Sequence, residues 1–325
     1  MTQRFSATVV LCVVTLLVGN SLLIAQKQGD AASSPSGGRL YRLESIYTAG
    51  IAQNYEFTES SNVVRTHSDG SVKKYSRMVT DFITIRTIES MNGIAKIVVT
   101  LDSLLYHFSS DAMAVDYNSQ VDVVPKPFAD LTPYLGPLNR TFTLTMNSYG
   151  EVTSLEGEDI DFWRDYLKEN SPDLDSVTAL LWEQSLSNIN LKQMGDIQKR
   201  IIPGLKVGID STWKHSLELR INGVHYTSEV ASKFAQNTGG LYVITTNDTL
   251  RAKPQIIRTY GIPEVSHLLS GWAAINGELT LRNTGVVEEL VLKTKAWYQA
   301  KVAMETYVED INTTYTWKLI GQYQW

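Results

Sequence analysis

"RTFTLTMNSYGEVTSLEG", residues 140–157, decides how this chain is read. Phe142, Leu144 and Met146 alternate with Thr141, Thr143 and Thr145, the period of a strand with one buried face. Gly150 then supplies the backbone freedom of a tight turn, and Val152 opens an outgoing run. Tyr149 and Glu151 could belong to a ligand loop, or the whole stretch could be a hairpin. Residues 276–294, "NGELTLRNTGVVEELVLKT", follow the same plan around Gly285. The recurrence favours the hairpin and suggests a weak internal repeat of two β units. Two unrelated glycine-turned hairpins would look the same.

Outward from this stretch, β patterning dominates. "YSRMVTDFITIRTIES" (75–90) and "GIAKIVVTLDSLLYHF" (93–108) are rich in β-branched and aromatic residues, and Asn92-Gly93 between them predicts a hairpin turn. Residues 125–137 carry four prolines, which excludes a central strand and leaves a loop or short helical turn. The spacing of Ile160, Trp163 and Leu167 predicts a helix with acids in its first turn. Ser171-Pro172 predicts the start of a second helix, with Leu174, Val177, Leu180 and Leu181 on its apolar face. A weaker third segment covers Leu191–Ile201. From Val207 strands return: Trp213, His215, Leu217 and Leu219 share one face, as do Tyr315, Trp317, Leu319, Gly321, Tyr323 and Trp325. The expected class is α+β, mostly antiparallel β, with an N-terminal β unit (39–157), a helical insert (158–203) and a C-terminal β unit (204–325).

The first 38 residues read differently. Arg4, an apolar run from Ala7 to Val18, a polar break at Gly19–Ser21 and Ala25 have the layout of a secretory signal peptide, residues 1–25, cut between Ala25 and Gln26. An uncleaved membrane anchor is the alternative. Leu11 before Cys12, inside the apolar run, does not suit lipidation. Residues 26–38, "QKQGDAASSPSGG", read as a flexible linker. The expected location is the periplasm or cell surface. Cleavage would remove the one cysteine, and with it disulfides and thiol chemistry. A net charge of −5 gives no case for nucleic-acid binding.

Catalytic patterns are weak. The five histidines show neither helical metal spacing nor HExxH, so no metal site is expected. His215 and His225 could face each other across Ile221-Asn222-Gly223, with Glu218 or Glu229 as a further ligand, but ordinary strand histidines explain them better. Glu156, Glu158, Asp159 and Asp161 could supply a carboxylate pair for glycoside hydrolysis, yet acids at a helix start suit its dipole. No nucleophile elbow or P-loop is present, and neither an enzyme nor a cofactor is expected.

"YRLESIYTAGIAQNYEF" (41–57), "KIVVTLDSLLYHF" (96–108), "LNRTFTLTMNSYGEVTSLEG" (138–157) and "GLKVGIDSTWKHSLEL" (204–219) resemble a family of uncharacterised exported bacterial β-rich proteins common in the Bacteroidetes. The resemblance implies curved antiparallel sheet with helices against it, similar in outline to the periplasmic lipoprotein carriers. By fold-level analogy it implies a non-enzymatic envelope protein that binds a hydrophobic or lipid-like ligand, or an envelope partner. Phe142, Trp213, Trp272, Trp297 and Trp317 are the candidates to line such a site. The same aromatics also suit an ordinary β core. A structural protein without ligand is the alternative. So is an outer-membrane barrel, suggested by aromatics alternating up to Trp325.

Overall fold

A computed structural model describes residues 39–122, 128–170, 176–198 and 201–325. They fall in one unit of the chain, Ala32–Trp325. The signal peptide, the Ala25–Gln26 cleavage site, the 26–38 linker and Leu174 lie outside the described residues. The first half contains β1 (Tyr41–Leu43), β2 (Ile51–His67), β3 (Val72–Met91), β4 (Ile94–Ser110), β5 (Ala114–Asn118), α1 (Thr132–Leu135), β6 (Thr141–Asn147) and β7 (Val152–Glu156). The insert is α2 (Glu158–Asn170), α3 (Ser176–Ser185) and α4 (Asn188–Gly195). The second half contains β8 (Leu205–Val207), β9 (Thr212–Ile221), β10 (Val224–Thr238), β11 (Leu241–Ala252), β12 (Ile256–Ile257), β13 (Ser266–Arg282), β14 (Val287–Val302) and β15 (Glu305–Gln324).

The mostly antiparallel α+β class is as the sequence indicates, and the strands before and after the insert share one sheet. Its order is β7-β6-β4-β3-β2-β15-β14-β13-β11-β10-β9, with β5 beside β4 and β12 beside β13. The halves join where β2 pairs with β15, in register from Ile51↔Gln324 to Tyr307↔His67. Alternation dictates the burial. Tyr55, Phe57 and Val63 of β2 and Tyr307, Ile311, Tyr315 and Trp317 of β15 enter one core, where Phe57 and Trp317 lie 4.6 Å apart. A bulge between Leu319 and Gly321 breaks the face expected to run to Trp325, so Tyr323 and Trp325 are exposed.

The opposite face is polar. Glu56, Asp310, Lys318, Glu289, Lys293 and Lys295 occupy outward positions on β2, β15 and β14, and Lys318 is the register partner of both Glu56 and Glu289. Lysine on the lipid face of a barrel costs about 2–4 kcal/mol at the bilayer midplane. This face does not provide the apolar band that the outer-membrane barrel reading requires.

The hairpins form at the expected residues. Asn92 and Gly93 both take positive φ (54° and 75°). Residues 140–157 are the β6–β7 hairpin, with Phe142, Leu144 and Met146 buried and the Asn147 side chain accepting from the backbone of Tyr149 and Glu151. The β13–β14 hairpin turns at Gly285, but it lies inside the sheet, whereas β6–β7 forms an edge. The segment after β1 bridges both turns: Ser45 N donates to Ser148 O (3.3 Å) and Ile46 N to Gly285 O (3.2 Å).

The other edge strand is β9, and α4 touches both β9 and β7. Gln193 of α4 accepts from Arg220 N (2.9 Å) and donates to Arg220 O (3.4 Å), continuing the ladder of β9 with a side chain. Ser187 caps α4. In α2, Ile160 is buried and Leu167 packs on the core, but Trp163 stays exposed under the guanidinium of Arg140, 4.7 Å from its ring.

Candidate functional site

The buried face carries a polar cluster amid the apolar core. Glu59, Ser61 and Arg65 follow Tyr55 and Phe57 on β2; Arg77 and Asp81 follow Tyr75 on β3; Glu309 and Thr313 follow Tyr307 on β15. Arg65 and Glu309 are register partners and pair through Nε at 2.7 Å, both essentially buried. The second Glu309 oxygen accepts from Tyr298 (2.6 Å) and Asn222 (2.6 Å). Arg77 pairs with Glu59 (2.8 Å) and with both oxygens of Asp130 (3.0 Å each), and Asp130 also accepts from Tyr106 (2.6 Å). Such pairs offset the cost of burying charge only because their oxygens and N–H groups are largely matched.

Asn222 joins the two groups. It sits at the β9–β10 turn with φ 47°, donates to Glu309 and to Tyr75 (3.0 Å), and faces Arg77 at 3.4 Å. A turn near one end of the sheet is thereby tied to its central strands. Asp81, diagonal to Glu59, is fully buried, and neither carboxyl oxygen has a hydrogen-bond partner among the described residues. Burial, and then the charge of Glu59, holds its pKa well above the usual carboxylate range.

Beside this cluster is a chamber of about 70 Å³, walled by Glu59, Arg77, Asp130, Tyr134, Arg220 and Arg258 among others. A larger cleft, about 380 Å³, opens between α2 and α3, with Leu167, Ala179 and Leu186 on its walls and Arg164, Lys168 and Glu183 around them. Phe162, Trp163 and Tyr166 are exposed on α2 and touch ring to ring at 5.6 and 5.5 Å.

The five aromatic candidates do not form one site. Phe142, Trp213 and Trp317 are buried, with Trp213 Nε1 donating to Ile201 O (2.9 Å). Trp272 and Trp297 are register partners on the opposite face. His215 is paired with Val230 and His225 with Arg220, so the two histidines do not face each other. Glu158, Asp159 and Asp161 lie in the first turn of α2, and Asp161 meets Arg164 at 3.2 Å.

A model of a family of unknown function, DUF6263, matches residues 92–280, more than half of the chain. The chain belongs to DUF6263. The DUF6263 segment holds the whole insert, Arg220 and Arg258, while Glu59, Arg65, Arg77, Asp81 and Glu309 lie outside it. No curated protein matches. Among solved structures, the DUF6263 chain is similar to lipovitellin, described for its lipid–protein interactions (11% identity, 86% of this chain, 26% of that one, TM-score 0.42). It thus spans about a quarter of the lipovitellin chain. It is also similar to Neisserial surface protein A (6% identity, 85% and 99% covered, TM-score 0.22). A third is a DUF1329 family protein from Desulfovibrio piger (8% identity, 82% and 85% covered, TM-score 0.18). No helix among the described residues is long and apolar enough to cross a membrane.

Proposed function

We propose that this is a non-catalytic binding protein of the cell envelope, in which the sheet is a scaffold and the helical insert is the binding face. The observation that carries this reading is the α2–α3 cleft. Its volume of about 380 Å³ lies in the range of small-ligand sites, whereas the buried face of the sheet is filled by packed side chains except at the chamber of about 70 Å³. Leu167, Ala179 and Leu186 suit the apolar part of a lipid-like amphiphile, and Arg164 and Lys168 suit an acidic head. The signal-peptide layout of residues 1–25 supports export. The use of Glu59, Asp130 and Glu309 as partners of buried arginine and tyrosine supports a non-catalytic role for these carboxylates.

Native mass spectrometry of the full chain from its own cells tests this reading. The expected spectrum carries an amphiphile that is lost in Ala179→Trp, which fills the cleft. Ligand-free wild-type spectra, or an adduct retained in Ala179→Trp, overturn it. The exposed Phe162, Trp163 and Tyr166 favour a second reading, docking of an envelope protein. In that case cross-linking in cells gives a defined complex that Phe162→Ala with Tyr166→Ala removes and Ala179→Trp does not.

A further inference from the structure

The arginines around the polar cluster, Arg65 and Arg77 buried and Arg220 half-buried, are not equally compensated. Arg65 has Glu309, and Arg77 has both Glu59 and Asp130. Arg220 is held by neutral oxygens: it donates to Gln184 Oε1 (2.8 Å), Gln184 O (3.3 Å) and Asn190 Oδ1 (3.4 Å), and no ion pair to it is found among the described residues. Desolvation lowers its pKa, and the nearby Tyr134 and Glu59 do not offset it. A desolvated guanidinium is costly unless an anion faces it.

Arg220 lines the chamber of about 70 Å³ described above. That is room for several waters or one small molecule. Among the described residues Arg77, Arg220 and Arg258 line it together with the carboxylates Glu59 and Asp130. Both carboxylates are paired with Arg77, so Arg220 is the guanidinium left for a single negative charge, and the two wall carboxylates oppose a dianion. Leu181, Pro133 and the ring of Tyr134 give it an apolar side. Exposed Ala129 and Gly261 also line it and mark the side toward solvent.

We infer that this chamber is a binding site for a short monocarboxylate, whose planar carboxylate takes the charge of Arg220. The planar fork of arginine matches a carboxylate at two oxygens, and a short carbon body rests on Leu181 and Pro133. The site is separate from the α2–α3 cleft and does not depend on it.

The test is thermal unfolding of the full chain in sodium acetate, sodium phosphate and sodium chloride at matched ionic strength. Acetate should raise the midpoint saturably beyond chloride, because it binds the folded state alone, and phosphate should not. Arg220→Gln should weaken the acetate response about tenfold or more, whereas Lys318→Gln, on the outward face of the sheet, should leave it unchanged. If Arg220→Gln does not fold, line broadening of ¹³C-acetate by the wild-type chain decides, with excess unlabelled acetate restoring the narrow line. An acetate response no larger than that of chloride, an equal response to phosphate, or unbroadened ¹³C-acetate overturns the inference.

Discussion

Asn222 carries two requirements at one position: a left-handed backbone and a side chain that bridges Glu309 and Arg77. Asn222→Gly keeps the first and removes the second. It should cost about 1–3 kcal/mol in urea unfolding, the range for buried groups left without a partner. Glu309→Leu strands the Arg65 charge and should cost more, about 3–5 kcal/mol. Asp81 acts in the opposite sense. Its pKa is raised in the folded state, so its contribution is complete below the unfolded value near 3.8 and is lost as pH rises toward the folded value. Asp81→Asn does not titrate, so its stability relative to wild type should grow from about pH 4 upward, by up to about 1.4 kcal/mol per pH unit. Parallel curves for the two proteins between pH 4 and 8 would contradict this.

Among the elements, the hairpin turns show how local signals become tertiary contacts. Gly285 has φ +80°, and a Cβ there would stand 2.6 Å from the backbone N and the Cβ of Ile46. Gly70 has φ +84° with nothing within 4 Å. Gly70→Ala therefore isolates the backbone strain, about 1–2 kcal/mol. Gly285→Ala should cost more and should also speed hydrogen exchange at the Ile46 amide; equal costs would mean that residues 45–46 do not depend on the turn. The hairpins at Asn92-Gly93, Gly150 and Gly285 were legible because turn residues and alternation are local properties. The insert was legible for the same reason, although Trp163 shows that helical spacing does not say which apolar residue is covered. The polar cluster was not read, because charged residues on strands pass for solvent-facing ones. The signal was parity: Glu59 and Arg65 share the alternation of Tyr55, Phe57 and Val63, and Glu309 shares that of Tyr307 and Ile311. What those residues pair with depends on strands far apart in sequence, and no local pattern carries that.

For the molecule as a whole, the decisive contact is the long antiparallel seam between β2 and β15. It places Arg65 beside Glu309 and Ser61 Oγ 2.9 Å from Thr313 Oγ1. Removing residues 305–325 would leave β2 and β14 as long open edges and Arg65 without its partner. The truncated chain should lose amide protection even in β3 and β13 and should aggregate at concentrations where the full chain stays soluble. Retained protection in β3 would show that the halves are independent. The seam also raises contact order, so refolding belongs to the slow, millisecond-to-second or slower range of β proteins.

That seam sets an order of assembly. Whatever delivers this chain from its N-terminus onward, a ribosome or a translocation pore, presents residues 51–67 long before residues 305–324, so the centre of the sheet is completed last. In the interval β2 offers one unpaired side, and the buried Arg65 waits for a counter-charge 244 residues away. A partner that shields an open strand edge during that interval would raise the yield of folded protein without altering its final stability.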